Sequence, residues 1–118
     1  MGRIIEIILY QLKTGTGGKF HQIMREISVP LHQCADLEVL AYGNSLHDED
    51  AYFLIRAFDD LAQMETSQHS FYNSDEWVNG PRSDILDCIQ TSVKSVLPLD
   101  PAYFNDLYRS LKSDIALK

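Results

Sequence analysis

Apolar residues in this chain follow two different periods, and these periods divide it into strands and helices. Residues 4–12 are almost wholly apolar and are interrupted only by Glu6 and Gln11, which is typical of a strand with both faces covered. Residues 37–59 hold two further runs rich in Val, Ile, Tyr and Phe, joined by polar turn formers at residues 44–50. The pattern predicts a β-hairpin in which neither strand presents a polar face to water. Regular alternation along the first strand places Leu40 and Tyr42 on one face and Leu37, Val39 and Ala41 on the other.

The period changes to that of an α-helix at Lys19. The predicted apolar stripe of this helix contains Phe20, Ile23, Met24, Ile27 and Leu31. A second stripe beside it contains His21, Arg25, Ser28 and His32. This second stripe either rims a pocket or forms a solvated edge. We expect Pro30 to kink or break the helix, because its ring removes a backbone hydrogen bond.

Helical patterns also follow the hairpin. Asp60 and Gln63 form a capping signal for a helix, whose predicted core face contains Leu61, Met64, Phe71 and Tyr72. A short helix is predicted from Ser74, and another begins at Pro81 with an apolar face of Ile85, Leu86 and Ile89. Residues 91–97 predict a weaker strand at a sheet edge.

A final amphipathic helix is predicted beyond Asp100. Its apolar positions are Phe104, Leu107, Tyr108, Leu111 and Ile115.

The predicted order of elements is strand, helix, strand, strand, helix, strand, followed by the appended helix. This is the ferredoxin-like βαββαβ plan of an α+β domain with an antiparallel sheet. We assign residues 1–98 to this domain and residues 99–118 to the appended helix. Because the strands are apolar on both faces, we expect helices to cover one face and a second copy of the chain to cover the other. The expected assembly is a homodimer through the sheet face, a dimeric α+β barrel.

The amino-acid composition limits the classes of molecule that this protein is expected to bind. The formal charge of −7 repels phosphate backbones and anionic lipids, so we expect neither nucleic acid nor membrane as a partner. No Cys or His cluster has metal-site spacing, and we predict no metal and no cofactor. Cys34 and Cys88 are expected to be reduced core or boundary residues, and the N-terminus lacks a signal-peptide pattern, so a cytoplasmic location is expected. The glycine-rich residues 13–18 lack phosphate-loop spacing and predict a flexible connection.

Several polar and aromatic residues are candidates for a ligand site between sheet and helices. They are His21, His32, Tyr42, Tyr52, Arg56, Tyr72, Trp77 and Arg82. Arg56 lies within an otherwise apolar strand, where an unpaired guanidinium is costly. It therefore pairs either with a carboxylate, such as Glu38 or Glu6, or with an anionic ligand. Trp77 near Arg82 forms either an aromatic lid or a helix-packing contact.

Several short motifs are spread over residues 4–97, namely Lys13-Thr-Gly-Thr-Gly, Ser28-Val-Pro-Leu, Ala41-Tyr-Gly-Asn-Ser-Leu-His-Asp, Tyr52-Phe-Leu-Ile-Arg-Ala-Phe-Asp, Phe71-Tyr-Asn-Ser-Asp-Glu-Trp and Gly80-Pro-Arg. Together these motifs resemble the NIPSNAP family, within the dimeric α+β barrel superfamily. The resemblance implies the barrel fold. The wider superfamily includes cofactor-free monooxygenases, haem-degrading oxygenases, isomerases and stress-response proteins, so it constrains the chemistry poorly. The Asn, Trp and His arrangement of the haem-degrading relatives has no counterpart in this sequence.

Three functions remain open. The favoured one is the binding of a small aromatic or anionic molecule in a pocket between sheet and helices. The second is an enzyme of the cofactor-free monooxygenase or isomerase type, in which a histidine moves a proton. The third is a non-catalytic scaffold or stress-related barrel. No nucleophile–base motif or nucleotide fingerprint in the sequence identifies a reaction.

Overall fold

The computed structural model describes residues 2–100. From residue 101 onward, the predicted C-terminal helix lies outside the described residues. Four strands form one antiparallel sheet in the order β2-β3-β1-β4. The strands are β1 (Arg3–Leu12), β2 (Glu38–Asn44), β3 (Ala51–Phe58) and β4 (Ile89–Leu99). This order, with the helical segments between β1 and β2 and between β3 and β4, is the predicted ferredoxin-like α+β plan, which is therefore confirmed.

Two helical segments cover one face of the sheet. The first comprises α1 (Gly17–Ile23), a π-helical turn (Met24–Ser28) and α2 (Val29–Cys34). The second comprises α3 (Leu61–Tyr72), α4 (Asp75–Val78) and α5 (Arg82–Cys88). Both segments contribute to a single hydrophobic core with the inward side chains of β1 and β3. The predicted edge strand is confirmed as β4, and it is longer than expected.

Strand register decides which side chains meet the helices. Ile8 pairs with Leu54 on the helix-covered face, and both are buried. Leu9, one residue later, lies on the opposite face, and it is half exposed (50%). Its neighbours across the two adjacent strands are Phe53 and Val93. We define the face that carries these three residues as the open face of the sheet.

The β2–β3 hairpin is confirmed, but the predicted faces of β2 are partly wrong. The register shifts between Val39 and Ala41, so Leu40 is an extra residue and is half exposed. Val39 and Tyr42 consequently lie on the same, helix-covered face and pack against the core. The simple alternation that we expected would have placed them on opposite faces.

The helix after β1 contains a π-helical turn directly before Pro30. The Val29 N–H bonds the Met24 carbonyl, five residues earlier, which is the hydrogen bond of a π-helix. Pro30 has no N–H to continue the α-helical pattern. The turn adds one residue, so Ile27 rotates to the surface, where it is 44% exposed, whereas Ser28 and His32 are buried. The predicted apolar stripe is therefore wrong at Ile27.

Two other predicted core positions are wrong. Leu61 is the first residue of α3 and is exposed at the helix end. The predicted cap of this helix is confirmed, because the Asp60 side chain accepts a hydrogen bond from the Gln63 N–H. Leu86 is exposed because it lies about 100° around α5 from the buried Ile85. Of the two free cysteines, Cys88 is buried as expected and Cys34 is exposed.

The glycine-rich connection before α1 is bound to the β2–β3 hairpin and is not a free linker. The Asp50 carboxylate accepts hydrogen bonds from the N–H groups of Gly15 and Gly17, each at 2.9 Å. Gly17 also approaches Glu49 so closely that a Cβ atom would lie 2.0 Å from the Glu49 carbonyl oxygen. Only glycine fits at that position, and the prediction of a flexible connection is wrong.

Candidate functional site

The structure separates the predicted site residues into two groups. His32, Arg56 and Tyr72 belong to a set of polar contacts centred on buried side chains, which we call the buried network. His21, Tyr42 and Tyr52 form a second group between α1, β2 and β3, which we call the half-buried cluster. The remaining two candidates, Trp77 and Arg82, belong to neither group.

The buried network is centred on an ion pair between β1 and β3. Glu6 lies opposite Arg56 in the strand register. Its Oε1 accepts hydrogen bonds from Arg56 Nε at 2.8 Å and from Arg56 Nη2 at 2.6 Å. Both side chains are essentially inaccessible to solvent. Arg56 therefore has an internal carboxylate partner, which is Glu6, whereas Glu38 pairs with the exposed Arg3.

The other polar atoms of this pair are also satisfied. Arg56 Nη1 donates to Tyr72 Oη at 2.7 Å and to His32 Nε2 at 3.0 Å. Gln68 donates to the second oxygen of Glu6 at 2.8 Å, and Lys94 lies 3.5 Å from the same oxygen. Within residues 2–100, no buried side-chain nitrogen or oxygen lacks a hydrogen-bond partner. The network needs no ligand to complete it.

His32 is held in the neutral form by its surroundings. Its Nε2 accepts from Arg56, so the ring proton lies on Nδ1 and is donated to the Ser28 carbonyl at 2.7 Å. The pKa of His32 falls from 6.5 to about 4, chiefly because the ring is buried. The Arg56 guanidinium contributes to this decrease, whereas the Ser28 carbonyl and Glu6 oppose it. His32 is thus a structural acceptor at neutral pH.

Trp77 and Arg82 do not form an aromatic lid. Trp77 is buried, and its ring packs against Phe71 at 5.4 Å and edge-on against Tyr72 at 5.0 Å, measured between ring centroids. Arg82 is exposed at the start of α5. The helix-packing alternative for Trp77 is the one that the structure supports.

The half-buried cluster contains a short histidine–tyrosine hydrogen bond. His21 Nδ1 and Tyr52 Oη lie 2.7 Å apart. The His21 ring centroid lies 6.0 Å from that of Tyr42, so an imidazole and two phenols share one small region. His21 and Tyr42 are partly accessible, whereas Tyr52 is buried. Polar atoms of this cluster can therefore meet a molecule from solvent.

Tyr52 has a fixed position in the core. Its ring packs edge-on against Phe20 at a centroid distance of 4.8 Å and lies 6.5 Å from the ring of Tyr10. Burial raises the pKa of Tyr52 well above its usual range, and the neighbouring Tyr42 raises it further. Tyr52 is consequently a neutral phenol that holds the orientation of the His21 ring.

Two polar atoms of the cluster have no protein partner in the described part of the chain. They are Nε2 of His21 and the hydroxyl oxygen of Tyr42. In one tautomer Nε2 donates a proton to a bound group, and in the other it accepts one. The cluster can thus bind a polar group and exchange a proton with it.

The open face of the sheet carries a groove that we did not predict as a site. Its volume is about 770 Å³. Its apolar lining includes Ile7, Leu9, Leu46, Phe53, Ile55 and Val93. No Lys, Arg, Asp or Glu of the described residues 2–100 lines it. We call it the open-face groove.

The sequence contained signals for some of the features that we missed. Glu6 interrupts a run of apolar residues, and this break marks the position that pairs with Arg56. Gln68 and Lys94 gave no comparable signal, because only the tertiary structure brings α3 and β4 to the Glu6 carboxylate. The lone Leu46 in a polar turn marks the rim of the open-face groove.

Residues 2–100 contain neither a recognisable metal site nor a helix that could span a membrane. In the described part of the chain, no three or more His, Cys, Asp and Glu side chains are grouped so that they could hold a metal ion. None of the helices in residues 2–100 has the length and apolar character needed to cross a membrane.

Comparison with solved structures identifies proteins of the same fold. A NIPSNAP family protein from Agrobacterium tumefaciens has a TM-score of 0.77 and 12% identity, covering 85% of this chain and 88% of that one. A second NIPSNAP family protein from the same organism, of unknown function, has a TM-score of 0.76 and 17% identity over 85% of this chain and 93% of that one. A proposed antibiotic biosynthesis monooxygenase from Nitrosomonas europaea has a TM-score of 0.59 and 11% identity, covering 79% and 94%.

Sequence comparison adds no closer relative. No protein-family model matches the chain, and no curated protein matches it. The TM-scores of the NIPSNAP family structures confirm the resemblance to NIPSNAP proteins at the level of the fold. The structural neighbours establish no specific function.

Replacement of Arg56 tests the buried network. We expect Arg56→Met to lower the free energy of unfolding by about 3–5 kcal/mol, because Glu6 loses its buried guanidinium partner and keeps only the Gln68 amide and the half-exposed Lys94. The double variant Glu6→Leu, Arg56→Met should recover most of this loss. The control Arg3→Met removes an exposed pair and should cost about 0–1 kcal/mol. Urea denaturation measures all three, and equal losses for Arg56→Met and Arg3→Met would contradict the assignment.

The pKa of His32 predicts an acid-sensitive fold. The unfolded chain binds a proton near pH 6.5 and the folded chain only near pH 4, so stability is fully present above pH 6.5 and is lost as the pH falls towards 4. The total loss from this group is about 3 kcal/mol. His32→Asn should flatten the dependence of unfolding free energy on pH between 6.5 and 4. The exposed control His69→Asn should retain the wild-type slope, and an unchanged slope in His32→Asn would refute the prediction.

Proposed function

We propose that this protein is a NIPSNAP-like homodimer that binds a small aromatic or anionic molecule between its sheet and helices. The proposed ligand site is the half-buried cluster of His21, Tyr42 and Tyr52. The observation that carries this proposal is the 2.7 Å hydrogen bond between His21 and Tyr52 at a partly accessible position. Such a contact orients the imidazole before any ligand arrives, which reduces the ordering cost of binding.

The residue types of the cluster favour a planar ligand with an acceptor group. The rings of His21 and Tyr42 offer surfaces against which an aromatic ring can pack. Their outward polar atoms can donate hydrogen bonds to a carbonyl, phenolate or carboxylate oxygen. Arg25 lies one helical turn beyond His21, and its charge acts to lower the pKa of Tyr52, so a positive charge lies near the cluster. This charge favours an anionic ligand.

A cofactor-free monooxygenase or isomerase is the second candidate function. In this function Tyr52 stays a neutral phenol and orients the His21 ring through the 2.7 Å hydrogen bond, while Nε2 of His21 receives a proton from a substrate or supplies one to it. The fold neighbour from Nitrosomonas europaea is a proposed monooxygenase. A non-catalytic scaffold is the third candidate, and the completely paired Arg56 favours it because that guanidinium needs no ligand.

The open face supports the homodimer. Leu9, Phe53 and Val93 form an apolar row across three strands, and Val93 is 64% exposed. A solvated sheet face normally carries polar residues, so this apolar row favours a protein interface. Among residues 2–100, no Lys, Arg, Asp or Glu lines the open-face groove. Two copies with a net charge of −7 can approach through such an uncharged region.

A cytoplasmic location belongs to the same proposal. The free thiols of Cys34 and Cys88 support it, because disulfides are rare in a reducing compartment.

Ligand binding is tested by thermal shift with salicylate, naphthoate, a naphthoquinone and haem. We expect at least one small aromatic acid or quinone to stabilise the wild-type protein, by about 2.7 kcal/mol at 100 times its dissociation constant. His21→Ala and Tyr52→Phe should remove most of this stabilisation, because they break the pair that orients the site. His69→Ala, at an exposed position on α3, is the control and should keep it.

Equal ligand-induced stabilisation in all four proteins would show that the site lies elsewhere. The absence of stabilisation by every compound would contradict the binding function and favour the scaffold.

Dimer formation is tested by sedimentation equilibrium at micromolar concentration. We expect a mass of twice 13.5 kDa for the wild type. Val93→Glu should raise the dissociation constant by roughly tenfold or more, because a charge is buried at the interface without a partner. Val78→Glu makes the same change on α4, where Val78 is 45% exposed, and should leave the mass unchanged. A wild-type monomer would contradict the proposed dimer.

A further inference from the structure

Leu46 is fully exposed although it is a large apolar residue. It lies in the turn between β2 and β3, where every other residue from Asn44 to Asp50 is polar or charged. A single exposed leucine is common on protein surfaces and by itself needs no explanation. Leu46, however, also lines the rim of the open-face groove, whose floor includes Leu9, Phe53 and Val93. An apolar projection and an apolar depression therefore belong to one continuous surface.

The turn that carries Leu46 is held by its own hydrogen bonds. Ser45 Oγ and His47 Nδ1 share a hydrogen bond on either side of Leu46. The Asn44 amide donates to the carbonyls of Gly17 and Glu49, which joins the turn to the start of α1. These contacts fix the backbone on both sides of the leucine. Leu46 is therefore presented at a defined position, and burying it costs little additional ordering.

We propose that Leu46 of each subunit inserts into the open-face groove of a second copy of this chain. The inference rests on the proposed homodimer and adds the residue that completes its interface. Insertion removes Leu46 from water and occupies part of an uncharged depression of about 770 Å³. Phe53, Leu9 and Val93 supply the apolar contacts at its floor.

The position of Leu46 also limits the assembly to two copies. A projection that fits a pocket elsewhere on the molecule makes a head-to-tail contact, which can extend into a filament. Leu46 lies on the rim of the groove that it is proposed to enter, so two copies related by a two-fold axis satisfy both projections and both grooves at once. Within residues 2–100, His47 is the only titratable side chain of the groove lining apart from tyrosines, so the described lining holds no fixed charge.

The test compares Leu46→Ser with Leu61→Ser by sedimentation equilibrium. Leu61 is 56% exposed on α3, away from the open face, and it is the matched control. We expect Leu46→Ser to raise the dimer dissociation constant by roughly tenfold or more. Each dimer buries two copies of Leu46, so the substitution removes the apolar contact at two places. Leu61→Ser should leave the constant unchanged. Thermal unfolding of dilute samples establishes that each variant is folded.

A cross-linking measurement tests the contact directly. Leu46→Cys and Val93→Cys are made separately, each together with Cys34→Ser because Cys34 is exposed. Mixing the two proteins under mild oxidation should give a mixed disulfide that joins position 46 of one copy to position 93 of the other, identified by mass.

The possible outcomes separate this inference from the proposed dimer. A wild-type dimer that Leu46→Ser leaves intact, without the mixed disulfide, would overturn the role of Leu46 while the dimer stands. A wild-type monomer would overturn both. Assembly beyond the dimer that Leu46→Ser abolishes would show a head-to-tail contact and overturn the two-fold arrangement.

Discussion

The buried ion pair between Glu6 and Arg56 holds the two central strands and both helical segments together. It joins β1 to β3 at one position of their register. Through His32 and Tyr72 it also contacts the two helical segments that cover this face of the sheet. A charge at this depth is tolerated only when each of its polar atoms has a partner. Gln68 satisfies the second oxygen of Glu6, so a single network fixes the position of α2 and α3 over the sheet.

The π-helical turn makes this network possible. Pro30 cannot continue the backbone hydrogen bonding of an α-helix, and the extra residue before it rotates the following turn. Without that rotation, His32 would lie at the edge of the apolar stripe and not in the core. With the rotation, its ring lies between the Ser28 carbonyl and the Arg56 guanidinium. A local backbone irregularity thus places a polar side chain in the core.

The two faces of the sheet have different roles. The helix-covered face is closed around the buried network, and its partly accessible chemistry is confined to the half-buried cluster at the α1 end. The open face carries a groove with a largely apolar lining, in which no Lys, Arg, Asp or Glu of residues 2–100 takes part. Strand β3 contributes to both, because Tyr52 belongs to the half-buried cluster and also lines the groove. The small-molecule site and the subunit interface are therefore proposed on opposite sides of the same strands.

The order of elements, the hairpin and the edge strand could be predicted from the sequence, because they depend on local hydrophobic periods. The need of Arg56 for a partner could also be predicted, because an unpaired buried charge is costly. Whether that partner is a carboxylate or a ligand depends on the β1–β3 register, which pairs residues 50 positions apart and is seen only in the folded structure. The burial of His32 and the exposure of Ile27 likewise depended on a π-helical turn whose extra residue changes every later position on the helix.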